Sequence, residues 1–377
     1  MIPLNSNLSG LKRSPIRLFT NLARQTPGCA MLTIGEPDFD TPESIRESAV
    51  SALRANQTHY APNQGTASLR EAVAEFETGR GNPTTPEQVL ITVGATQALF
   101  TALLGILNPG EEVIIPTPGF VLYETVATIA GAKAVKLDIS RTGFQIDEAA
   151  LKAAITDKTK AIIINSPCNP SGTVFSKESL ETVKRAVLGK PIFVICDNVY
   201  NRLAYSECPD ISLDKELKGQ LILCQSFSKP HAMTGWRVGY LTCPDYVMDR
   251  LLLLSAAEIT AVPTFLQEAA ITALQTDPSD MVEVYRKRRE YVCRRLDDMG
   301  LRYPAPEGAF YVFPDISRFG LSSEAFCIRM IKEGGVAAVP GSCFGAEGYI
   351  RLSYCYSDEE LKLGLDRMDA FIQGLQP

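Results

Sequence analysis

The sequence predicts an α/β fold: a large domain built on a mostly parallel seven-stranded sheet flanked by helices, with a smaller α+β domain beside it. Three observations carry this expectation. Seven short β-rich runs alternate with helical patterns between residues 89 and 243, the rhythm of βαβ units covered on both faces. After about residue 280 the alternation gives way to a long charged helix followed by short strands and helices. The length, 377 residues, exceeds what one hydrophobic core usually organises. The expected division is a large domain at 46–280 and a small discontinuous domain formed by 1–45 with 281–377.

In chain order, the first 45 residues read as irregular, with one amphipathic stretch at 16–25, and end in LTIGEPDFDTP, where Gly35, Pro37 and Pro42 mark a loop. Thr41 is expected to cap a helix running toward Arg54, with Pro42 in its first turn. HYAPNQG is then a loop and TASLREAVAEF an amphipathic helix. Residues 89–93 form a buried strand, and the helix after it opens on Gly94 and small residues. Residues 112–116, 134–137, 161–165, 192–197, 221–225 and 238–243 are the other β-rich runs. Ligands of such sheets bind beyond the carboxyl ends of the strands. Gly94, Asn169, Asp197 and Lys229 each follow directly on a strand, so they are expected to converge on one crevice. In the long helix MVEVYRKRREYVCRRLDDMG, the cations Arg286 to Arg295 are expected to form a solvated face balanced by Glu283, Glu290, Asp297 and Asp298. A strand at 310–314, a helix near 322–333, the runs VAAVPG and YIRLSY and a last helix complete the chain.

Composition excludes several classes. A formal net charge of −6 argues against nucleic acid or an anionic membrane surface as partner, since both call for a basic patch. No twenty-residue apolar run is present to span a bilayer. The amino terminus lacks the apolar core and small-residue cleavage site of a signal peptide, so a cytoplasmic protein is expected. The ten cysteines are scattered from Cys29 to Cys355 without a CxxC pair and read as free thiols in a reducing compartment. With only His59 and His231, neither HExxH nor a Cys/His zinc cluster can be assembled.

The chemistry gathers at residues 226–240, SFSKPHAMTGWRVGY. Lys229 sits just past the apolar run QLILCQ, with hydroxyls at Ser226 and Ser228 before it and Arg237 after it. That order suits a carbonyl cofactor bearing a phosphate: the lysine carries the carbonyl as a Schiff base, and the hydroxyls and guanidinium hold the anion. A pyridoxal phosphate site needs, in addition, an anion at the ring nitrogen, a phosphate cradle and a cation for the substrate carboxylate. Asp197, ending IFVICD, suits the first, because a carboxylate buried there needs a cationic partner; a helix-capping aspartate is the structural alternative. Gly94, Ala95 and Thr96 open a helix straight after a strand and offer free backbone N–H groups to a phosphate, although any tight βα turn favours small residues there. Asn169, in NSPCNPSG, could donate to a cofactor oxygen or serve the turn alone. Tyr200 could reach the ring oxygen, and Phe120 could stack on the ring or belong to the core. Arg351, in GYIRLSY, could capture a carboxylate bidentately from a strand edge or form a surface ion pair.

Carrying LTIGEPDFDTP, NPSG, SFSKPHAMTGWRVGY, PEGAFYVFPDI and VPGSCFGAEGYIRLSY in that order, the chain resembles the class I/II pyridoxal phosphate-dependent aminotransferases of fold type I over nearly its whole length. The resemblance implies Lys229 as Schiff-base lysine and proton shuttle, Asp197 at the pyridine nitrogen, and Asn169 with Tyr200 at the ring oxygen. It implies Ser226, Ser228, Arg237 and the Ala95–Thr96 turn at the phosphate of pyridoxal 5'-phosphate, and Phe120 at the stacking position. Gly35, Asn169 and Arg351 meet the substrate carboxylate, and Tyr60 reaches the phosphate of the neighbouring subunit in a homodimer with shared active sites. The implied reaction is ping-pong transfer of an amino group from an L-amino acid to a 2-oxo acid, commonly 2-oxoglutarate.

The stretches SPIRLFTNLARQ, FYVFPDISRFGLSS and VAAVPGSCFGAEGY are similar to bacterial aminotransferases that act on N-acetyl-diaminopimelate in lysine biosynthesis. Two positions depart from the family pattern: Asn198 in DNVY replaces a common acidic residue, and Cys355 replaces a usual alanine. Thr96 stands where one aspartate-specific subgroup carries lysine, which argues against aspartate. A pyridoxal phosphate-dependent C–S β-lyase shares the fold and most cofactor contacts and is the alternative reading. A transcription regulator reusing the same fold would carry a basic helix-turn-helix segment ahead of it, and none is seen.

Overall fold

The computed structural model describes residues 2, 5–9, 11 and 15–375. The remaining positions, which include parts of the expected small domain and Ser14 of SPIRLFTNLARQ, lie outside the described residues. Helix Pro15–Arg24 (α1) and strand Ala30–Met31 (β1) precede helices Glu43–Arg54 (α2) and Ala67–Gly79 (α3). Strands Val89–Thr92 (β2), Glu112–Thr117 (β3), Lys133–Asp138 (β4) and Thr159–Asn165 (β5) then alternate with helices Gly94–Ile106 (α4), Leu122–Ile129 (α5) and Glu148–Ala154 (α6). Helix Lys177–Val187 (α7) leads to strands Phe193–Asp197 (β6), Leu221–Ser226 (β7) and Gly239–Thr242 (β8). Helices Asp245–Ile259 (α8), Thr264–Gln275 (α9) and Ser279–Asp298 (α10) follow. Strand Tyr311–Val312 (β9), helix Ser323–Gly334 (α11), strands Val336–Ala337 (β10), Val339–Pro340 (β11) and Ile350–Ser353 (β12) and helix Asp358–Leu375 (α12) end the chain.

Seven strands form one mixed sheet in the order β2-β8-β7-β6-β5-β3-β4, in which β8 alone runs against the other six. Its central strands are rich in isoleucine, leucine and valine and almost wholly buried, as a sheet covered on both faces requires. Alternate residues feed two cores. Ile162, Ile164, Val194 and Cys196 pack toward α6 and α7, whereas Ile163, Ile195, Ile222 and Cys224 pack toward α4, α5 and α8. The edge strand β4 exposes Lys133, Lys136 and Asp138, charges that discourage pairing with another chain.

A further core joins Phe19, Ala23 and Leu32, near the amino terminus, to Tyr285, Val292 and Leu296 of α10, Phe326 and Met330 of α11 and Leu365 and Met368 of α12. Beside it lie the parallel pair β1-β10 and the antiparallel sheet β11-β12-β9. Among the described residues no helix is long and apolar enough to cross a membrane, and no cluster of potential metal ligands occurs. All ten cysteines are unpaired.

Several local expectations are corrected. Thr41 does not cap α2. Pro42 occupies the cap, because the Thr41 hydroxyl is taken by tertiary partners: it donates to the Ala232 carbonyl at 2.7 Å and accepts from Trp236 Nε1 at 3.0 Å. Nor do the α10 arginines form a simple solvated face. Arg288 is buried, bonded to Asp38 at 2.7 and 2.8 Å and to Asp358 at 2.9 Å, and Arg295 pairs with Asp366. Only Arg286 pairs with an acid of its own helix, Glu283, because α10 is flanked by the segment carrying Asp38 and by α12. VAAVPG splits into β10 and β11, which belong to different sheets.

Candidate active site

The carboxyl ends of β5, β6 and β7 and the start of α4 open onto a cleft of about 400 Å³. Asp197 is the last residue of β6 and is 5% exposed. Its Oδ2 accepts from the Tyr123 hydroxyl at 2.6 Å and its backbone carbonyl from Asn165 Nδ2 at 2.9 Å. Burial pushes the carboxyl up to about 6, against the opposing hydrogen bonds from Tyr123 and the Val199 N–H. It caps no α-helix, so the structural alternative lapses. Asn165 also accepts from the Asn169 N–H at 2.9 Å, which ties the Asn169 turn to the end of β6.

Lys229 projects into the same cleft, and its Nζ donates to the Gly35 carbonyl at 2.6 Å. Burial lowers its amine to about 8; Arg351 and Arg237 push the same way, and Cys355 and Glu36 oppose them. Beneath it, the Ser226 hydroxyl donates to Ser228 Oγ at 2.9 Å and accepts from the Ser228 N–H at 3.1 Å. Arg237 adopts the left-handed conformation at φ 59° and donates to the Thr234 carbonyl at 3.0 Å, which aims its guanidinium along the opening of α4. Ala95 and Thr96 line the cleft there, whereas Gly94 lies behind Arg237. A β-carbon on Gly239 would stand 2.5 Å from the Gln225 carbonyl oxygen and 2.9 Å from the Gly94 carbonyl carbon. Glycine is therefore what lets α4 approach the β7–β8 pair so closely.

Arg351 lies on β12, the middle strand of its sheet and not an edge, and is 2% exposed. It donates to Asn169 Oδ1 at 2.9 Å and to the Thr33 carbonyl, with its guanidinium carbon 4.5 Å from the centre of the Tyr311 ring. Among the described residues it has no carboxylate partner, and its Nε has no acceptor, so the surface ion pair is ruled out. Such a cation is costly to bury unless an anion joins it.

Tyr200 lines the cleft with its hydroxyl 2.8 Å from that of Tyr311, and Phe120 lies edge-on to Tyr123 at 5.9 Å. Gly35 faces Tyr311 so closely that a β-carbon would sit 1.8 Å from its hydroxyl. Tyr60 does not line this cleft; it is 92% exposed on the surface. Sequence reasoning missed Tyr123, Tyr311, Asn165 and Arg17, all of which line the cleft. Asn165 ends an apolar strand as Asp197 does, a signal that was available; the others carry no local mark.

The departure at Asn198 has a local reason. Its Nδ2 donates at 2.8 Å to Asp210 Oδ2, which also takes Arg80 at 2.6 Å, and an acidic side chain there would face a second carboxylate. Cys355 is fully buried, its thiol 3.4 Å from the Ile34 carbonyl oxygen.

These residues fit pyridoxal 5'-phosphate. The buried Asp197 carboxylate suits a protonated ring nitrogen, the partly neutral Lys229 amine a carbonyl, and the Ser226, Ser228 and Arg237 cradle a phosphate.

Comparison with known proteins agrees with this geometry. The family model for aminotransferases of class I and II matches residues 27–368. A probable N-acetyl-LL-diaminopimelate aminotransferase of Bacillus subtilis (strain 168) is 38% identical over 98% of this chain and 95% of its own. Aromatic-amino-acid aminotransferase 2 of Thermococcus litoralis is 40% identical over 98% of each chain. Among solved structures, the aspartate aminotransferase of Thermus thermophilus with maleate superposes at a TM-score of 0.93, with 36% identity, covering 98% of this chain and all of that one. Fold, site and likeness together show that this chain belongs to the class I and II aminotransferases and is an enzyme that transfers amino groups.

Proposed function

We propose that the cleft carries pyridoxal 5'-phosphate and moves an amino group from an L-amino acid to a 2-oxo acid, with 2-oxoglutarate as acceptor, in two half-reactions that share one site. The observation that carries this reading is the placement of a buried carboxylate (Asp197), a desolvated amine (Lys229) and a buried guanidinium without an anion (Arg351) around one cleft. When bound, the cofactor supplies a carbonyl for the substrate amine and a protonated ring that accepts the electron pair of the Cα–H bond. Asp197, oriented by Tyr123, keeps that ring protonated, and a cation alongside returns its own pKa toward the ordinary range. Ser226, Ser228, Arg237 and the backbone N–H groups of Ala95 and Thr96 hold the phosphate. Tyr200, steadied by Tyr311, and Asn169 serve the ring oxygen, and Phe120 lies against the ring.

Arg351 grips the α-carboxylate, with Asn169 and the backbone at Gly35 on either side. That grip aims Cα at Lys229 Nζ, which removes the Cα proton in one half-reaction and returns one in the other. The first 2-oxo acid leaves before the second enters, which is ping-pong order.

As donor we propose N-acetyl-diaminopimelate, supported by the stretches SPIRLFTNLARQ, FYVFPDISRFGLSS and VAAVPGSCFGAEGY and by the activity named for the Bacillus relative. The division into 46–280 and 1–45 with 281–377 is supported by the core that Phe19, Ala23 and Leu32 share with α10–α12. The ten unpaired cysteines support a reducing, cytoplasmic setting.

The test is a half-reaction screen of the purified holoenzyme with N-acetyl-LL-diaminopimelate, glutamate, aspartate and aromatic amino acids, followed by the visible absorbance of the bound cofactor. Lys229→Ala is expected to lose both that absorbance and turnover; a variant retaining both would sink the assignment. Release of pyruvate and ammonia from L-cystathionine without any 2-oxo acid would favour a C–S β-lyase instead.

A further inference from the structure

We infer that Gln97 is a positioning residue for the cofactor phosphate: its side-chain amide, oriented by Glu258 of α8, fixes the Val93 peptide on which the phosphate cradle is registered. This role rests on the cofactor reading above and adds to it a residue that does not itself line the cleft.

The opening of α4 leads to it. A helix begins with N–H groups that have no partner within the helix, and a phosphate held there needs some of them free. Gln97 reaches back four positions, and its Oε1 accepts from the Val93 N–H at 2.7 Å. The carbonyl of Val93 accepts from Arg237 Nη2 at 3.4 Å. Val93 is thus held by Gln97 on one side and by the cradle's cation on the other, and the N–H groups of Ala95 and Thr96, which line the cleft, are left for the anion. Gly94, the residue between, has φ 69° and no room for a side chain, since a β-carbon would stand 2.7 Å from Arg237 Nη2. A shift of Val93 therefore displaces the N–H groups and the guanidinium together.

An amide can be turned end for end, and the partners of Gln97 allow one orientation. Its Nε2 donates to Glu258 Oε2 at 3.0 Å and to Ser255 Oγ at 3.3 Å. The reverse orientation would set the amide NH2 against the Val93 N–H and the amide oxygen against a carboxylate, donor facing donor and acceptor facing acceptor. Glu258 is held in turn by the Thr101 hydroxyl, which donates to the same oxygen at 2.7 Å, while its Oε1 is buried without a partner among the described residues. Burying a carboxylate oxygen unpaired is unfavourable, and the packing of the two helices does not call for it. Gln97, Thr101 and Gly105 follow at four-residue spacing along α4, and at Gly105 the helices approach so closely that a β-carbon would collide with Leu251 of α8. Close packing already joins α4 to α8, and the polar contacts at the cleft end of the same seam orient the amide.

The experiment measures the dissociation constants of pyridoxal 5'-phosphate and of pyridoxal, which lacks the phosphate, with the full chain stripped of cofactor, by the visible absorbance of the bound form. Gln97→Met, of similar length but without an acceptor for Val93, is expected to raise the constant for pyridoxal 5'-phosphate about tenfold or more and that for pyridoxal less than about twofold. A double-mutant cycle then tests the orientation. Gln97→Glu keeps an acceptor for Val93 but sets two carboxylates against each other, and Glu258→Gln restores a donor facing it. Adding Glu258→Gln is therefore expected to tighten pyridoxal 5'-phosphate at least about fivefold more in the Gln97→Glu protein than in the wild type, a comparison that cancels the change in net charge. Equal losses of both ligands in Gln97→Met would mean general damage to the site and overturn the inference, as would unchanged binding of both. Absence of coupling between positions 97 and 258 overturns it equally, and decides the matter should Gln97→Met fail to fold. A wild-type protein that takes up neither ligand would instead overturn the cofactor reading, so the two failures are distinguishable.

Discussion

Burial displaces Asp197 and Lys229 in opposite directions, each toward its neutral form: the carboxyl rises to about 6 and the amine falls to about 8. For Asp197 a folded-state pKa above the ordinary value of 3.8 stabilises the fold fully only below about pH 4, and the contribution is lost as pH rises through about 6. At pH 8 the ionised group therefore costs the cofactor-free protein on the order of 3 kcal/mol. Asp197→Asn, which keeps an acceptor for Tyr123, is expected to raise the melting temperature of the cofactor-stripped protein at pH 8 and leave it little changed at pH 4. In the holoenzyme the same change removes the partner of the ring nitrogen, and turnover should fall by more than about a hundredfold. Calorimetric melts at both pH values check the first part; a lower melting temperature of the stripped variant at pH 8 would contradict it. Lys229 adds a signature in the cofactor-stripped protein: the rate at which it takes up pyridoxal 5'-phosphate as a Schiff base is expected to rise with pH toward about 8 as the free amine loses its proton. Asp197 and Lys229 were legible in the sequence because each follows an apolar run that ends at the cleft. Tyr123 was not, because it lies 74 residues from Asp197 in a helix whose spacing marks it as core, and only the assembled sheet gives its hydroxyl a purpose.

The β7–turn–β8 element holds the cradle, and its glycines are not equivalent. Gly239→Ala would drive a β-carbon into two backbone groups, the Gln225 carbonyl and Gly94, neither of which can rotate away. It is expected to cost about 2–3 kcal/mol and to raise the dissociation constant for the cofactor, since α4 must retreat from Arg237. Gly235, in the same stretch, has nothing within 4 Å of a β-carbon and no positive φ, so Gly235→Ala should stay within about 0.5 kcal/mol. Paired denaturation curves and cofactor titrations test the contrast; equal effects would mean that close approach is not what fixes Gly239. The element itself was readable from QLILCQ and the residues after it, as were the other buried strands of the large sheet, because buried strands announce themselves by continuous apolar runs; the exposed edge strand β4 was marked only by the short run at 134–137. The cap of α2 and the pairing of α10 were misjudged for the opposite reason. Thr41 reaches Ala232 across 191 positions and Arg288 reaches Asp38 across 250, and such partners override local capping and charge patterns.

At the scale of the whole molecule, Tyr60 separates what one chain contains from what an assembly would add. Its side chain is 92% exposed, yet its loop is fixed: the Thr264 hydroxyl donates to the His59 carbonyl, and Asn63 Nδ2 donates to the Thr260 carbonyl at 3.0 Å. An ordered loop that presents a tyrosine away from its own cleft suits a contact with another chain. In the homodimer we propose, each phosphate cradle is completed by Tyr60 of the partner subunit. Lys229→Ala and Tyr60→Ala homodimers would then each carry a lesion in both sites. Mixed by unfolding and refolding at equal amounts, half of the dimers become hybrids, in which one site collects both lesions and the other has none. About one quarter of wild-type activity is therefore expected to return, with the KM of the wild type. Were every site made from a single chain, no intact site could form, and the mixture would show only the average of its parents. Sedimentation of the same mixture supplies the companion measurement, because a monomer would rule out the shared site whatever its activity.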